Sequence, residues 1–200
     1  MTVPGRVEAA ELLLSLDPPA WLLRHARAVA EIAGWLAARI AGRGEPVDRR
    51  LVEAAALLHD VDKALPSNAP ERSLAHGEGS AAWLSGRGHP ELGGVVAAHP
   101  VTRLTDALAS EAWLATAPVE ERIVAYADKR AGQRLEPMAA RFASWARRYP
   151  GSWSATEAAA VAVRAGRLER SICAAAGVAP ADVRRLAWTD AALSAARAAR

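Results

Sequence analysis

The sequence predicts an all-α protein, and three observations carry that prediction. Ala, Leu, Arg and Glu are prominent in the composition, and these residues favour helices. Aromatic residues make up only 5% of the chain, fewer than a β-sandwich would need. Apolar residues recur at three- and four-residue spacing, and no stretch offers several alternating strand patterns. The 200 residues are enough for one domain with a substantial core and a helical extension.

The first two predicted helices have clear boundaries. Residues 20–41 follow "DPP" and end at "AGRG", and their apolar positions fall on one face of a helix. Residues 48–61 form the second predicted helix, with Asp48 as its N-cap because a carboxylate can accept a free N–H group of the first turn. The loop "PSNAPER" follows this helix.

The middle of the chain predicts shorter helices. Residues 76–86 and 89–100 form two of them, separated by a glycine-rich turn, and residues 103–116 form a third. The segment 117–131 is predicted to form a longer helix, with Pro118 in its first turn, where a missing N–H costs nothing.

The last third of the chain is predicted to be helical as well. Residues 134–150 form a helix that stops at a Pro-Gly pair. Beyond it, residues 153–176 and 180–198 form a helical pair separated by "GVAPAD". Because the composition changes at the Pro-Gly pair, we predict a main domain of residues 1–150 and a C-terminal helical extension, residues 151–200, that packs on it.

Composition excludes several classes of protein. The single cysteine, Cys173, rules out an intramolecular disulfide framework and a cysteine-based zinc site. No apolar run approaches the ~20 residues of a membrane span, so we expect a cytoplasmic protein without a membrane partner. The net charge is +3, and we interpret the arginines of the last third as a solvated face rather than a nucleic-acid surface. The oligomeric state is left open.

Ionisable side chains follow apolar runs at three separate places. The pair His59-Asp60, the imidazole of His99 and the carboxylate of Asp128 each come directly after four or five apolar or aromatic residues, and His25 lies inside a strongly apolar helix. A buried ionisable group costs several kcal/mol unless it is paired, hydrogen-bonded or bound to metal. A shared cation would remove this cost from all of them together. Such nitrogen and oxygen ligands suit iron, manganese, zinc, nickel or cobalt.

The order of these residues resembles the HD-domain superfamily of metal-dependent phosphohydrolases, whose fold is all-helical. "LLHDVDK" at residues 57–63 is similar to the central His-Asp-x-x-Lys element of the superfamily. "IVAYADKR" at residues 123–130 is similar to its distal Asp helix. The similarity covers about residues 20–148, and the ordered spacing is more specific than either short motif. It implies that the main domain is an HD-domain helical bundle.

The resemblance implies a site with two divalent transition-metal ions. The first ion would be held by a set of four residues: His25, His59, Asp60 and Asp128. The second would be held by His76 and His99, with Asp60 bridging both ions. A metal-bridged hydroxide would attack the substrate, because bound cations lower the pKa of water. The substrate implied is a small phosphoester, most plausibly a nucleotide.

Basic residues near the motifs are the predicted substrate contacts. Only two of the 25 basic residues are lysines, and they lie in the two motif segments, Lys63 in "HDVDK" and Lys129 in "YADKR". The resemblance implies a catalytic role for Asp60 and for Lys63, whose ammonium would face the phosphate and stabilise developing charge. Lys129 and Arg130 are weaker candidates for substrate binding. His89, which lies before a proline in a glycine-flanked turn, is predicted to be an exposed loop residue.

Two alternative functions remain open. A branch of the same superfamily uses a similar six-ligand set in di-iron oxygenases, and a non-catalytic module could bind a nucleotide without cleaving it. Oxygen consumption would support the first alternative, and recovery of intact nucleotide after long incubation would support the second. Asp62 stands where the best-known variant of the central element has Gly, and no Gly-Tyr-Pro motif is present. We therefore assign no cyclic-dinucleotide substrate.

Overall fold

A computed structural model of the protein describes residues 3–199. These residues form ten α-helices joined by loops and by five short 3-10 turns, and they contain no β-strand, so the all-α prediction is confirmed. The helices are α1 Arg6–Leu14, α2 Ala20–Ala41, α3 Arg49–Leu58, α4 Glu78–Gly86, α5 Gly93–Ala98, α6 Ala107–Thr116, α7 Val119–Lys129, α8 Met138–Arg148, α9 Ala155–Ala176 and α10 Thr189–Ala198.

Helix α2 lies at the centre of the fold and packs against α3 and α7. It has the predicted bounds, and most of its residues are buried. The N-cap prediction for α3 is also correct, because the Asp48 carboxylate accepts the Leu51 N–H at 3.0 Å. Helix α3 ends at Leu58, three residues earlier than predicted, because the chain turns there into the 3-10 turn Val61–Ala64.

The short middle helices pack against this centre. Helices α4 and α5 lie against each other, and α5 also contacts α3 and α7. Helix α7 begins after Pro118, which is its N-cap rather than a residue of its first turn. Helix α8 has no fully buried residue, and its apolar side chains Met138 and Phe142 rest on a small second apolar cluster around Leu104 and Val161.

The C-terminal residues do not form a continuous helix from 180 to 198. After the 3-10 turn Pro180–Asp182 the chain runs without helix to residue 188, and only then does α10 begin. The prediction is wrong in this segment because long-range contacts replace helical ones: the Leu186 N–H donates to the carbonyl of Glu31 at 3.1 Å. Tertiary contacts of this kind override local helix propensity.

One hydrophobic core collects side chains from both ends of the chain. Leu13 of α1, Leu36 of α2, Ile172 of α9 and Leu193 of α10 all lie in it. Helix α9 packs on α7 and α2, whereas α10 packs mainly on α1. The division of the chain at residue 150 stays a prediction. Within residues 3–199, no helix has both the length and the apolar character that crossing a bilayer requires.

Candidate metal centre

Six side chains from five parts of the chain meet at one end of α2. Four of them lie at the C-terminal ends of helices. His59 and His99 are the C-cap residues of α3 and α5, Asp60 follows His59, and Asp128 lies in the last turn of α7. His25 comes from the N-terminal part of α2. Short helices that end at the same place therefore supply most of the cluster, and the buried apolar segments before them fix its geometry.

The sixth side chain, His76, reaches the cluster through a turn that needs glycine. Gly77 has a φ of +87°, and a Cβ at this position would lie 2.8 Å from Cγ of Pro100. This close approach holds the start of α4 against the residue that follows His99. The two histidines consequently meet, with their Nε2 atoms 3.1 Å apart. A larger residue at position 77 would be strained and would clash with Pro100, so this approach requires glycine.

Three of the ligand atoms surround Nε2 of His25. The Oδ2 atom of Asp60 and the Oδ1 atom of Asp128 each lie 3.3 Å from it, and Nε2 of His59 lies 3.1 Å from it. The Nε2 atom of His59 is also 3.5 Å from Asp60 Oδ2 and 3.9 Å from Asp128 Oδ1. These four side chains, which are the predicted first ligand set, form one compact group with almost no exposure.

The second predicted set lies on the other oxygen of the same aspartate. Oδ1 of Asp60 is 3.2 Å from Nε2 of His76 and 3.4 Å from Nε2 of His99. The two oxygens of Asp60 therefore face two separate groups of imidazoles. Within the second group, only His76 is open to solvent: its side chain is 38% exposed, whereas that of His99 is buried.

All four histidines use their Nδ1–H group in the same way. The acceptors are carbonyl oxygens or a carboxylate, which cannot donate, so the proton on Nδ1 is fixed. The pairs are His25 with the carbonyl of Gly132 at 2.6 Å, His59 with that of Ala56 at 2.8 Å, His99 with that of Val96 at 2.6 Å, and His76 with Oδ2 of Asp62 at 2.8 Å. Metal-binding histidines have this second partner almost always, because it leaves the lone pair of Nε2 directed at the ion.

The carboxylates of the cluster favour positive charge on the groups around them, as the pKa values of His25 and His76 show. Burial opposes a charge on His25, but hydrogen bonds with Asp128 and Asp60 outweigh it and raise its pKa to about 9. Burial opposes a charge on His76 as well, but the carboxylates of Asp60 and Asp62 outweigh it and raise the pKa of His76 to about 9. Burial lowers the pKa of His59 to about 3. Burial alone would raise the pKa of Asp60, but its interactions with His59, with the ammonium of Lys63 and with the other imidazoles around it hold this pKa well below its usual range.

These residues fit a divalent cation. Oδ1 of Asp60 is buried and has no hydrogen-bond partner, although two imidazole nitrogens lie close to it. Such an orphaned carboxylate oxygen is costly in an apolar interior and is satisfied by a bound ion. Ligand atoms close enough to share a cation fall into three overlapping groups: His25–His59–Asp128, His59–Asp60–His99 and Asp60–Asp62–His76.

A comparison with protein families gives one match. The family described as HD domain matches residues 22–132, more than half of the chain. The chain belongs to the HD-domain superfamily. The resemblance seen in the sequence is therefore confirmed, and with it the membership of a superfamily of metal-dependent phosphohydrolases. Neither the comparison with curated proteins nor the comparison with solved structures gave a match.

A cavity of about 580 Å³ opens beside the ligands of the HD domain. His25, Asp60 and Lys63 line one side of it. Nζ of Lys63 lies 2.7 Å from Oδ2 of Asp60. Burial works against this charge, but the carboxylate of Asp60 raises the pKa of Lys63, so the side chain stays cationic. Lys63 therefore lies between the cavity and Asp60, where its charge could contact a bound anion.

The structure does not bring Lys129 and Arg130 to this cavity. Lys129 is buried, and its ammonium donates to the carbonyls of His99 at 2.9 Å and Ala125 at 3.1 Å. Burial lowers its pKa to about 8. Arg130 points away from the ligands and donates to the hydroxyl of Tyr126 at 2.5 Å. Both side chains are buried and bonded to other groups of the protein, Arg130 also to Glu169 of α9, and neither lines this cavity.

Other residues of the HD domain and its surroundings were not predicted as part of the site. Asp62, read in the sequence only as a departure from glycine, orients His76 and also accepts the Gly77 N–H at 3.4 Å. The feature of the sequence that could have indicated this role is the position of Asp62, two residues after Asp60. His89, by contrast, belongs to no ligand group among residues 3–199, and it is half-buried rather than exposed.

Proposed function

We propose that the protein is a metal-dependent phosphohydrolase that acts on a nucleotide or a related phosphoester and uses two divalent transition-metal ions. The observation that carries this proposal is the division of Asp60, whose two carboxylate oxygens face two different groups of imidazole Nε2 atoms. A bridging carboxylate between two ions is the arrangement in which a pair of metals can act on one phosphate.

Each ion has its own ligand set in this proposal. His25, His59, Asp60 and Asp128 would hold the first, and His76, His99 and Asp60 the second. The fixed Nδ1 protons of the four histidines support this assignment, because they leave each Nε2 free for a cation. The ligands contain only nitrogen and oxygen, which suits iron, manganese, cobalt, nickel or zinc.

The chemistry divides between the ions and the chain. Divalent ions bound here would lower the pKa of water and so supply a nucleophile near neutral pH. The carboxylate of Asp60 orients the site from a fully buried position. Lys63 keeps its proton and offers a compact positive charge to the phosphoryl oxygens, where negative charge grows during the reaction.

The cavity supports an anionic substrate. Besides Lys63, three arginines line it, namely Arg134, Arg141 and Arg148, and so do the aromatic side chains of Trp21 and Trp145. Cationic groups beside an aromatic surface suit a phosphate that is linked to a planar base.

The test combines metal analysis with a substrate screen. Purified protein loaded with Mn²⁺, Fe²⁺, Co²⁺ or Ni²⁺ should contain about two ions per chain and hydrolyse at least one member of a nucleotide and dinucleotide panel, as measured by separation of the products. Rates in air and under argon should be equal with Mn²⁺, because hydrolysis needs no redox change. Confirmed occupancy without turnover of any substrate, or turnover that requires oxygen, would overturn the proposal.

A further inference from the structure

We infer that helix α8 recognises the part of the substrate that is not attacked: its arginines bind additional phosphates, and Trp145 stacks on the base. This inference rests on the proposed function and narrows the substrate to nucleotides with at least two phosphates. Helix α8 spans Met138–Arg148 and lies outside the segment that matches the HD domain. The recognition element would therefore lie in a part of the chain that the family match does not cover.

One face of α8 forms the wall of the cavity opposite the ligand cluster. Arg141, Ser144, Trp145 and Arg148 all line the cavity, and their spacing of three and four residues places them on one side of a helix. The neighbouring Arg147 does not line it. A cavity of about 580 Å³ between the two walls is large enough for a molecule much bigger than a single phosphate.

The two arginines of this face lack anionic partners. Within residues 3–199, neither Arg141 nor Arg148 forms an ion pair with a carboxylate, whereas Lys63 on the opposite wall is paired with Asp60. The Nε atom of Arg141 is also buried without a hydrogen-bond partner. An unpaired donor on a charged group is costly. Neither guanidinium has a carboxylate that competes for its donors, so a phosphate in the cavity would be their anionic partner.

Aromatic rings hold these arginines in place. The guanidinium of Arg141 lies 4.5 Å from the ring centroid of Trp145, and that of Arg148 lies 5.9 Å from the ring of Tyr149. Such stacking fixes a guanidinium plane without using its hydrogen-bond donors, so the donors stay available for a phosphate. The ring of Trp145 also borders the cavity itself, where a base can stack on it.

Equilibrium binding measured without metal tests the arginines directly. Titrations with adenosine mono-, di- and triphosphate in EDTA should show an affinity of the unmodified protein that rises with each phosphate. Arg141→Gln and Arg148→Gln should each lose about tenfold or more in affinity for the triphosphate, since each removes charge-assisted hydrogen bonds. Arg147→Gln is the matched control, and its affinity should stay unchanged.

Two further results separate base stacking from phosphate binding and exclude misfolding. Trp145→Leu should weaken binding of adenosine triphosphate but not of inorganic tripolyphosphate. All variants should keep the helical circular dichroism signal and melt within a few degrees of the unmodified protein, because α8 has no buried residue. Equal losses for Arg147→Gln and Arg148→Gln, or affinities that do not depend on the number of phosphates, would overturn the inference.

Turnover by the metal-loaded protein distinguishes this inference from the proposed function. In the arginine variants KM should rise about tenfold while kcat changes little, because the contacts lie away from the reacting phosphate. A protein that binds triphosphate through α8 but hydrolyses nothing would sink the proposed function alone. A protein that hydrolyses nucleotides with the same KM in all the variants would sink the inference alone.

Discussion

Helix α2 contains two buried ionisable side chains, His25 and Glu31, and their surroundings differ. Glu31 meets Arg185 and Thr189 from the C-terminal segment: Nε and NH2 of Arg185 donate to its Oε2 at 2.8 and 2.5 Å, and the Thr189 hydroxyl donates to its Oε1. Both carboxylate oxygens of Glu31 accept hydrogen bonds here. We call these three residues the Glu31 cluster.

His25, by contrast, belongs to the cluster around Asp60, where atoms with lone pairs lie next to one another. Imidazole Nε2 atoms and carboxylate oxygens lie within 3.1–3.5 Å of one another around Asp60, and one oxygen of Asp60 has no hydrogen-bond partner. Complete pairing stabilises a fold, whereas convergent lone pairs leave a requirement that only protons or cations can meet. The comparison therefore separates a structural cluster from a site, although both are buried and charged.

The largest effect is expected from Asp60→Asn, which removes the charge that would bridge the two proposed ions without changing the shape of the side chain. Activity should fall on the order of 10³-fold or more, because both ion sites lose a ligand charge. In the unmodified protein, added Mn²⁺ should raise the melting temperature and EDTA should lower it, since an ion that binds only the folded state stabilises it. The variant should not respond to either. A variant that kept both its metal and its activity would contradict the assignment of Asp60.

The opposite pattern is expected when the Glu31 cluster is broken. Glu31→Ala leaves Arg185 and Thr189 without their acceptor and should lower the free energy of unfolding by about 2–4 kcal/mol. Activity per folded molecule should be unchanged. Glu45→Ala, at an exposed glutamate, is the control, and its effect should stay within about 0.5 kcal/mol. Urea denaturation of the three proteins measures the difference, and equal midpoints would show that the cluster is not structural.

A smaller effect is expected one step outside the ligands, at Asp62. Asp62→Ala removes the acceptor that orients His76 and should weaken binding of one of the two ions about 10- to 100-fold. Asp62→Asn retains an oxygen that can accept from Nδ1 and should recover most of this loss. Metal titration with a chelator of known affinity measures both ions. Weakening of both ions by the same factor would place Asp62 outside this role.

The same contrast explains how much the sequence could predict. The positions of His25, His59, Asp60, His99 and Asp128 after or within apolar runs are local signals, and the structure brings these side chains together. The N-cap at Asp48 is local too. By contrast, the Glu31 cluster joins α2 to the C-terminal segment, residues more than 150 positions apart, and no short pattern reports such a pairing.

Errors in the helix predictions have the same origin. Residues 183–188 contain good helix formers, yet the chain stays non-helical because Leu186 and Arg185 bond to Glu31 instead. Helix α1 was not predicted, although its buried residues Ala10, Leu13 and Leu14 show helical spacing. The cavity-facing side of α8 also escaped prediction, because an arginine at a cavity and an arginine in solvent look alike in sequence.

The smallest effect is expected in a second hydrogen-bonded cluster, formed by Tyr126, Arg130 and Glu169. It is close to the metal centre in sequence, but none of its residues is a proposed ligand. The hydroxyl of Tyr126 accepts from Arg130 at 2.5 Å and donates to Glu169 at 2.8 Å, only two residues before the ligand Asp128. Tyr126→Phe should lower the free energy of unfolding by about 1 kcal/mol, because Arg130 and Glu169 still contact each other at 3.2 Å. Metal content and kcat should not change, as measured beside Asp60→Asn. A tenfold loss of kcat with unchanged stability would show that pairing alone does not separate structural clusters from the site.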